Sequence, residues 1–239
     1  MKELKIVNFK SLPKNNFFAP EWSYYICESI TKNINCKSLA KFLLKQEKEI
    51  LKLEPTLNDS KTSYADGYTG LGFNSVTSRF GRFNVFNFKN KHISNLKKQI
   101  IETHKHFLKS LNVSLPKELY IQCWYNVMRK GEKINAHIHS YDPDCYLGGH
   151  FCVQANETST YYINPVNQIH NSETYKSKNK EGTLTLFQNC VPHYTDRNES
   201  NSERITIAFD LSYYKPKNHY IKLYQLKVII HINLCPTLG

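Results

Sequence analysis

The chain has 239 residues, of which 40% are hydrophobic and 22% charged; this ordinary globular usage excludes a disordered or fibrous protein. Aromatic residues make up 13%, with Tyr 16 and Phe 13, enough bulky apolar area for a sizeable core. Lys+Arg 32 against Asp+Glu 20 gives +12, a balance that suits an anionic partner such as nucleic acid, phosphate, an acidic membrane or a small dicarboxylate.

In chain order, Met1-Lys2-Glu3-Leu4-Lys5 lacks the apolar run of a signal peptide. Ser38 reads as the cap of a helix whose stripe is Leu39, Phe42, Leu43, Gln46, Ile50 and Leu53. Turn residues follow, Asp66-Gly67-Tyr68-Thr69-Gly70-Leu71-Gly72, and then an aromatic-rich stretch expected as a strand from Phe83 to Phe88. A second helix carries Ile93, Leu96, Ile100, Phe107 and Leu111 on one face. Its other face holds Lys97, Lys98, Lys105 and Lys109, with His104 and His106 expected towards solvent.

From about residue 119 the period changes to two. Strands are expected over 119–128, 146–154, 159–163, 183–187 and 204–211. The last is the clearest: Ile205, Ile207, Phe209 and Leu211 alternate with Arg204, Thr206, Ala208 and Asp210. Short strands at near-regular spacing predict a mostly β sandwich or barrel with flanking helices. The expected organisation is one domain over 1–212, with 1–118 as helical and strand support, 119–212 as the barrel core, and 213–239 as an extension without assigned role. The apolar run Val228 to Ile232 is too short to span a bilayer. The seven cysteines form no CxxC pair, and the expectation is a reduced cytoplasmic protein with no membrane partner.

The chemistry concentrates on a few polar residues. His137 and His139 lie two apart, so on extended backbone both rings share a face. His193 follows a strand, and Arg204 sits with Thr206 on the polar face of the next one. A mononuclear iron site needs three ligands on one octahedral face and three positions open. Two ligands from one strand and one from a distant strand provide that face. Arg204 can fork onto the far carboxylate of a co-substrate, with Thr206 adding a hydroxyl bond.

These motifs resemble the 2-oxoglutarate/Fe(II)-dependent oxygenases of the double-stranded β-helix (jelly-roll) fold, in particular prolyl-hydroxylase-like, phage-type members. The resemblance is carried by Gly131 leading to His137-Ile138-His139, by Gly182-Thr183-Leu184-Thr185-Leu186-Phe187 leading to Pro192-His193, and by Arg204-Ile205-Thr206. Further matches are Thr69-Gly70-Leu71-Gly72 with Thr77-Ser78-Arg79-Phe80, Tyr146-Leu147-Gly148-Gly149-His150, and Thr158-Ser159-Thr160-Tyr161-Tyr162-Ile163-Asn164-Pro165.

The resemblance implies Fe(II), 2-oxoglutarate and dioxygen, with ascorbate as an optional reductant. The implied reaction is hydroxylation of a substrate, a protein side chain among the candidate classes, with conversion of 2-oxoglutarate to succinate in the cytoplasm or, for a phage-encoded chain, the host's cytoplasm. The family's carboxylate ligand falls at His139, so the metal set is His137, His139 and His193, or else Asp142 or Asp144 reaches back in place of His139. Arg204 and Thr206 are the implied co-substrate grip, with Trp124, Asn126 and Tyr162 as further lining residues, and Gln154 a similar candidate. His150 reads as a core or pocket histidine, and Arg204 alone could be an ion-pair partner of Asp210 or Asp196. Two other functions fit the residues. Arg79, Phe80, Arg82, Phe83, Phe86 and Phe88 have the composition of a single-stranded nucleic-acid surface. The same histidines could also serve a non-redox metal-binding barrel.

Overall fold

The structure, a computed structural model, describes residues 3–10, 22–57, 69–139, 145–165, 173–214 and 220–226. Its elements are β1 (Lys5–Lys10), β2 (Ser23–Ile30), α1 (Cys36–Ile50), α2 (Lys91–Ser110), β3 (Glu118–Met128), β4 (Cys145–Gln154), β5 (Ser159–Ile163), β6 (Thr174–Lys178), β7 (Thr183–Gln188), β8 (His193–Thr195), β9 (Arg204–Ser212) and β10 (Ile221–Gln225). A seven-stranded sheet runs β1-β2-β7-β4-β9-β3-β10 and faces a three-stranded sheet, β6-β5-β8; the strand pairs are antiparallel. This is the double-stranded β-helix that the motifs implied.

The alternation in β9 organises the molecule. Ile205, Ile207, Phe209 and Leu211 join one apolar core with Leu39 and Leu43 of α1 and Leu96 and Ile100 of α2. Fully burying such side chains contributes about 1.5–3 kcal/mol each. Arg204 and Thr206 point the other way, into the space between the sheets, where Arg204 meets Thr160 of β5. Helices therefore cover one face of the large sheet, and the small sheet covers the other.

Local chemistry moved some boundaries. The cap of α1 is Asn35, whose side-chain oxygen accepts from the Ser38 amide; Ser38 lies inside the first turn. The expected strand over Phe83 to Phe88 is instead a 3-10 turn at Val85–Asn87. Asn84 accepts from the Phe86 amide and donates to the Ile121 carbonyl, which gives the backbone a turn in place of a ladder. His104, expected at the surface, is fully buried, whereas His106 is exposed. Its slot lies on the apolar stripe of α2, beside Ile100 and Phe107, where helical period outweighs residue polarity. Strands β1, β2, β6 and β10 had no clear signature in the chain. The last pairs with β3 and so attaches residues 221–225 to the large sheet. Residues 228–232 lie outside the described residues.

Candidate metal centre and anion site

Three imidazoles meet where the two sheets open. His137 follows the turn at Gly131, and its backbone exchanges both hydrogen bonds with His193, at 3.1 and 3.0 Å, the first residue of β8. The His139 amide donates to the Asn189 carbonyl, so His139 lies along the same extended segment. One ring nitrogen from each of His137, His139 and His193 lies within 4.8 Å of the other two. Ring centroids are separated by 4.3 Å (His137 and His193), 5.0 Å (His139 and His193) and 5.3 Å (His137 and His139). Asp142 and Asp144 lie outside the described residues.

The tautomers follow from the partners. The Nδ1 of His137 is 2.8 Å from the Asn135 carbonyl oxygen, that of His193 is 3.1 Å from the Val191 carbonyl oxygen, and that of His139 is 2.5 Å from Asp210 Oδ1. Carbonyls only accept, and a carboxylate does the same when ionised, so each Nδ1 donates. Nε2 is then the nitrogen left for a metal, and a neutral ring presents a lone pair there, the form a metal requires. Burial pushes the His137 ring down to about 4, helped by the neighbouring His139, and holds His193 well below the usual histidine value, with His137 and His139 adding to the effect. Both are therefore neutral at ordinary pH.

The turn at Thr69 to Gly72 packs against the segment that leads to His137. The Asn135 amide donates to the Thr69 carbonyl at 2.9 Å. Gly70, at φ +81, presses so close that an added Cβ would stand 2.4 Å from the Asn135 side chain. Only glycine combines that backbone with that approach.

Deeper between the sheets, Arg204 is buried, yet no carboxylate pairs with it among the described residues. Its Nη1 donates to the Met128 sulfur at 2.9 Å and its Nη2 reaches Thr160 Oγ1 at 3.4 Å, while Nε has no partner. Asp196 instead accepts from the Ser159 amide, and Asp210 pairs with His139, so neither is the ion-pair partner considered for Arg204. An uncompensated buried guanidinium costs several kcal/mol, a cost an anion would offset. His150 lies nearby: its Nε2 is 2.6 Å from the Tyr162 hydroxyl, and its buried Nδ1 has no partner among the described residues. Two partnerless nitrogens of buried side chains, one of them on a cation, mark a place for a polar, negatively charged ligand.

The remaining lining residues divide. Tyr162 is fully buried between His150 and Phe187. Thr206 accepts weakly from Asn126, at 3.4 Å, and Asn126 also accepts from the Thr77 hydroxyl at 2.8 Å. Asn126 thus holds the loop against the sheet. Trp124 packs on His139, with ring centroids 5.9 Å apart, and is a wall for that ring. Gln154 donates to the Glu203 carbonyl and ties a strand end. Chain reasoning missed the pairing of Asp210 with His139. The signal was present, since Asp210 shares the polar face of β9 with Arg204 and Thr206.

Part of the composition that suggested base stacking is spent on packing, while Arg82 is exposed. Arg79 is buried and donates to the carbonyls of Leu53, Phe73 and Ser75. Phe83 is buried against Phe88 and Tyr125. No helix among the described residues is long and apolar enough to cross a membrane.

Fe(II) with 2-oxoglutarate fits these residues: three imidazoles supply a ligand face, and a buried guanidinium with no carboxylate partner among the described residues suits a carboxylate. Comparison with known proteins agrees. Residues 122–210 match the family described as "Putative 2OG-Fe(II) oxygenase". No curated protein sequence matched. Among solved structures, a Pseudomonas putida prolyl-4-hydroxylase is similar at 10% identity and TM-score 0.52, covering 78% of this chain and 92% of that one. The non-heme alpha ketoglutarate dependent epimerase SnoN from nogalamycin biosynthesis is similar at 7% identity and TM-score 0.50, covering 78% and 76%. An oxidoreductase of the 2OG-Fe(II) oxygenase family from Burkholderia pseudomallei aligns at 17% identity and TM-score 0.43 over 55% of this chain, which spans 63% of that protein's length. The stretch that bears the histidines and Arg204 thus matches a 2OG-Fe(II) oxygenase family model, and the solved structures share its fold.

Proposed function

We propose that the chain is a 2-oxoglutarate- and Fe(II)-dependent oxygenase that hydroxylates a substrate presented beside the 69–73 loop, with 2-oxoglutarate converted to succinate. In this reading His137, His139 and His193 hold the metal through Nε2, and Arg204 grips the distal carboxylate of 2-oxoglutarate. The observation that carries it is the pairing, between the two sheets, of three convergent imidazoles with a buried guanidinium that has no carboxylate partner among the described residues.

The protein's own groups do the positioning. Asn135, Val191 and Asp210 hold the three rings in the tautomer that exposes Nε2. Arg204 offers a planar fork suited to bidentate binding, which orients a dicarboxylate end-on. Thr206, on the same face of β9, and Tyr162 of β5 can add hydroxyl bonds. Bound between these groups, the iron and its co-substrate supply the activation of dioxygen. The two sheets around Arg204 exclude water, which strengthens the guanidinium–carboxylate attraction.

The test is anaerobic addition of Fe(II) and then 2-oxoglutarate to the purified chain. A weak visible charge-transfer band is expected, absent in His193→Ala, followed by succinate release when air is admitted. Asp142→Asn and Asp144→Asn should keep the band if His139 is the third ligand. Metal binding with no response to 2-oxoglutarate overturns the oxygenase reading.

A further inference from the structure

We propose that Asp210 is a positioning residue for this metal centre, returning to it, through the His139 ring, the negative charge that a carboxylate ligand would otherwise bring. The inference rests on the proposed metal role of the three histidines.

Three neutral imidazoles leave a divalent ion with its whole charge, in a site already near a buried guanidinium. The chain has a histidine where the resembling family has a carboxylate. One strand away, and pointing at that histidine, it has an aspartate. Asp210 Oδ1 lies 2.5 Å from His139 Nδ1, in hydrogen-bonding contact, with both side chains largely buried, 14% and 8% exposed. Nδ1 and Nε2 lie on opposite sides of the imidazole, so Asp210 acts on the lone pair without competing for the metal. A carboxylate accepting the Nδ1 proton makes Nε2 a more basic donor and fixes its direction. Ligand and charge are thereby divided between two residues: His139 makes the bond, and Asp210 supplies the negative charge.

The surroundings are shaped for this pair. Asp210 stands opposite Gly148 in the β4–β9 register. A Cβ on Gly148 would come within 3.1 Å of His139 Nδ1 and 2.8 Å of Phe187, so the missing side chain makes room for the ring. Trp124 lies 5.9 Å from the His139 ring, and Phe187 meets it edge-on at 5.7 Å. Aromatic walls thus hold the ring's tilt while Asp210 fixes its rotation. His137 and His193, by contrast, receive only neutral backbone carbonyls at Nδ1. Of the three ligand rings, the one at the family's carboxylate position is the one backed by a carboxylate.

The experiment measures anaerobic Co(II) binding by equilibrium dialysis, and the Fe(II)–2-oxoglutarate band, in the wild-type chain, Asp210→Asn, Asp210→Glu and His193→Ala. Asp210→Asn preserves shape and removes charge; it should weaken Co(II) binding about 10–100-fold, as loss of such outer partners does elsewhere. It should also move the charge-transfer band to shorter wavelength, because a less electron-rich iron gives up an electron less readily. Asp210→Glu restores the charge and should recover part of both losses, a rescue that a packing role alone would not show. Equal affinity and an unmoved band in Asp210→Asn overturn the inference while the metal reading stands. Wild-type protein that binds no Co(II), or binding that survives His193→Ala, overturns the metal reading and this inference with it.

Discussion

Along β9, Ile205, Ile207, Phe209 and Leu211 turn to the helices, whereas Arg204, Thr206, Ala208 and Asp210 turn to the three-stranded sheet. Both sets are buried apart from the half-buried Asp210, so exposure does not distinguish them. Their chemistry does. The helix side is apolar and closes on itself. Among the described residues, the inner side holds a cation without an anion and, on the neighbouring strand β4, a histidine with an unpartnered nitrogen. Dry surface of the first kind stabilises the fold, while the second kind costs stability until a ligand arrives. One strand serves both because its side chains alternate, and a one-residue slip in register would exchange the two surfaces.

The contrast breaks first at Arg204. Replacing it by Met removes the fork and leaves an apolar side chain of similar reach. Binding of 2-oxoglutarate, read by titration of the charge-transfer band, should weaken on the order of a thousandfold, since truncating one partner of a buried charge pair costs about 2–5 kcal/mol. The ligand-free protein should melt no lower than wild type, because a buried charge without a partner has been removed. A clear drop in melting temperature would make Arg204 a structural residue and erase the distinction between the two faces.

The opposite result is expected three residues along, on the other face. Ile207→Ala leaves a cavity against the helices and should cost about 2–5 kcal/mol in urea unfolding. Co(II) affinity, measured below the unfolding transition, should be unchanged. A matching fall in metal affinity would mean that the two faces are coupled.

Period and spacing made much of this legible before any coordinates. The alternation in 204–211 gave both faces of the central strand, and His137, His139 and His193 were marked by spacing and by the later Arg204. Two kinds of feature were hidden. Strands such as β6, Thr174–Lys178, and β10, Ile221–Gln225, are short and mostly exposed or half-buried, so they carry little apolar alternation and are defined by their partners. The link between Asp210 and His139 joins residues far apart in sequence, and only the β4–β9 register with Gly148 between them brings it about. Phe83 to Phe88 misled for a related reason: aromatic content suits a strand, but Asn84 commits its carboxamide to a turn.

The smallest effect concerns His104, a buried polar residue on the helix side. It sits fully buried on α2, with Nε2 hydrogen-bonded to the Tyr146 hydroxyl and the Tyr224 ring beside it; Nδ1 has no partner. Burial pushes the ring down to about 4 from the ordinary 6.5, and the adjacent Lys105 adds to the shift. In the unfolded chain the same ring takes up its proton near 6.5. Between those values the unfolded state binds the extra proton, so stability is full above about 6.5 and declines as pH falls towards 4. Between pH 7.5 and 5 this one group should account for about 2 kcal/mol of lost stability. His104→Gln keeps a polar partner for Tyr146 and cannot titrate. Urea unfolding of the metal-free variant should therefore show a pH dependence shallower than wild type by that amount, the other buried histidines contributing equally to both proteins. Identical slopes would mean that water reaches His104, and that the helix side of the sheet is less dry there than along Ile205 to Leu211.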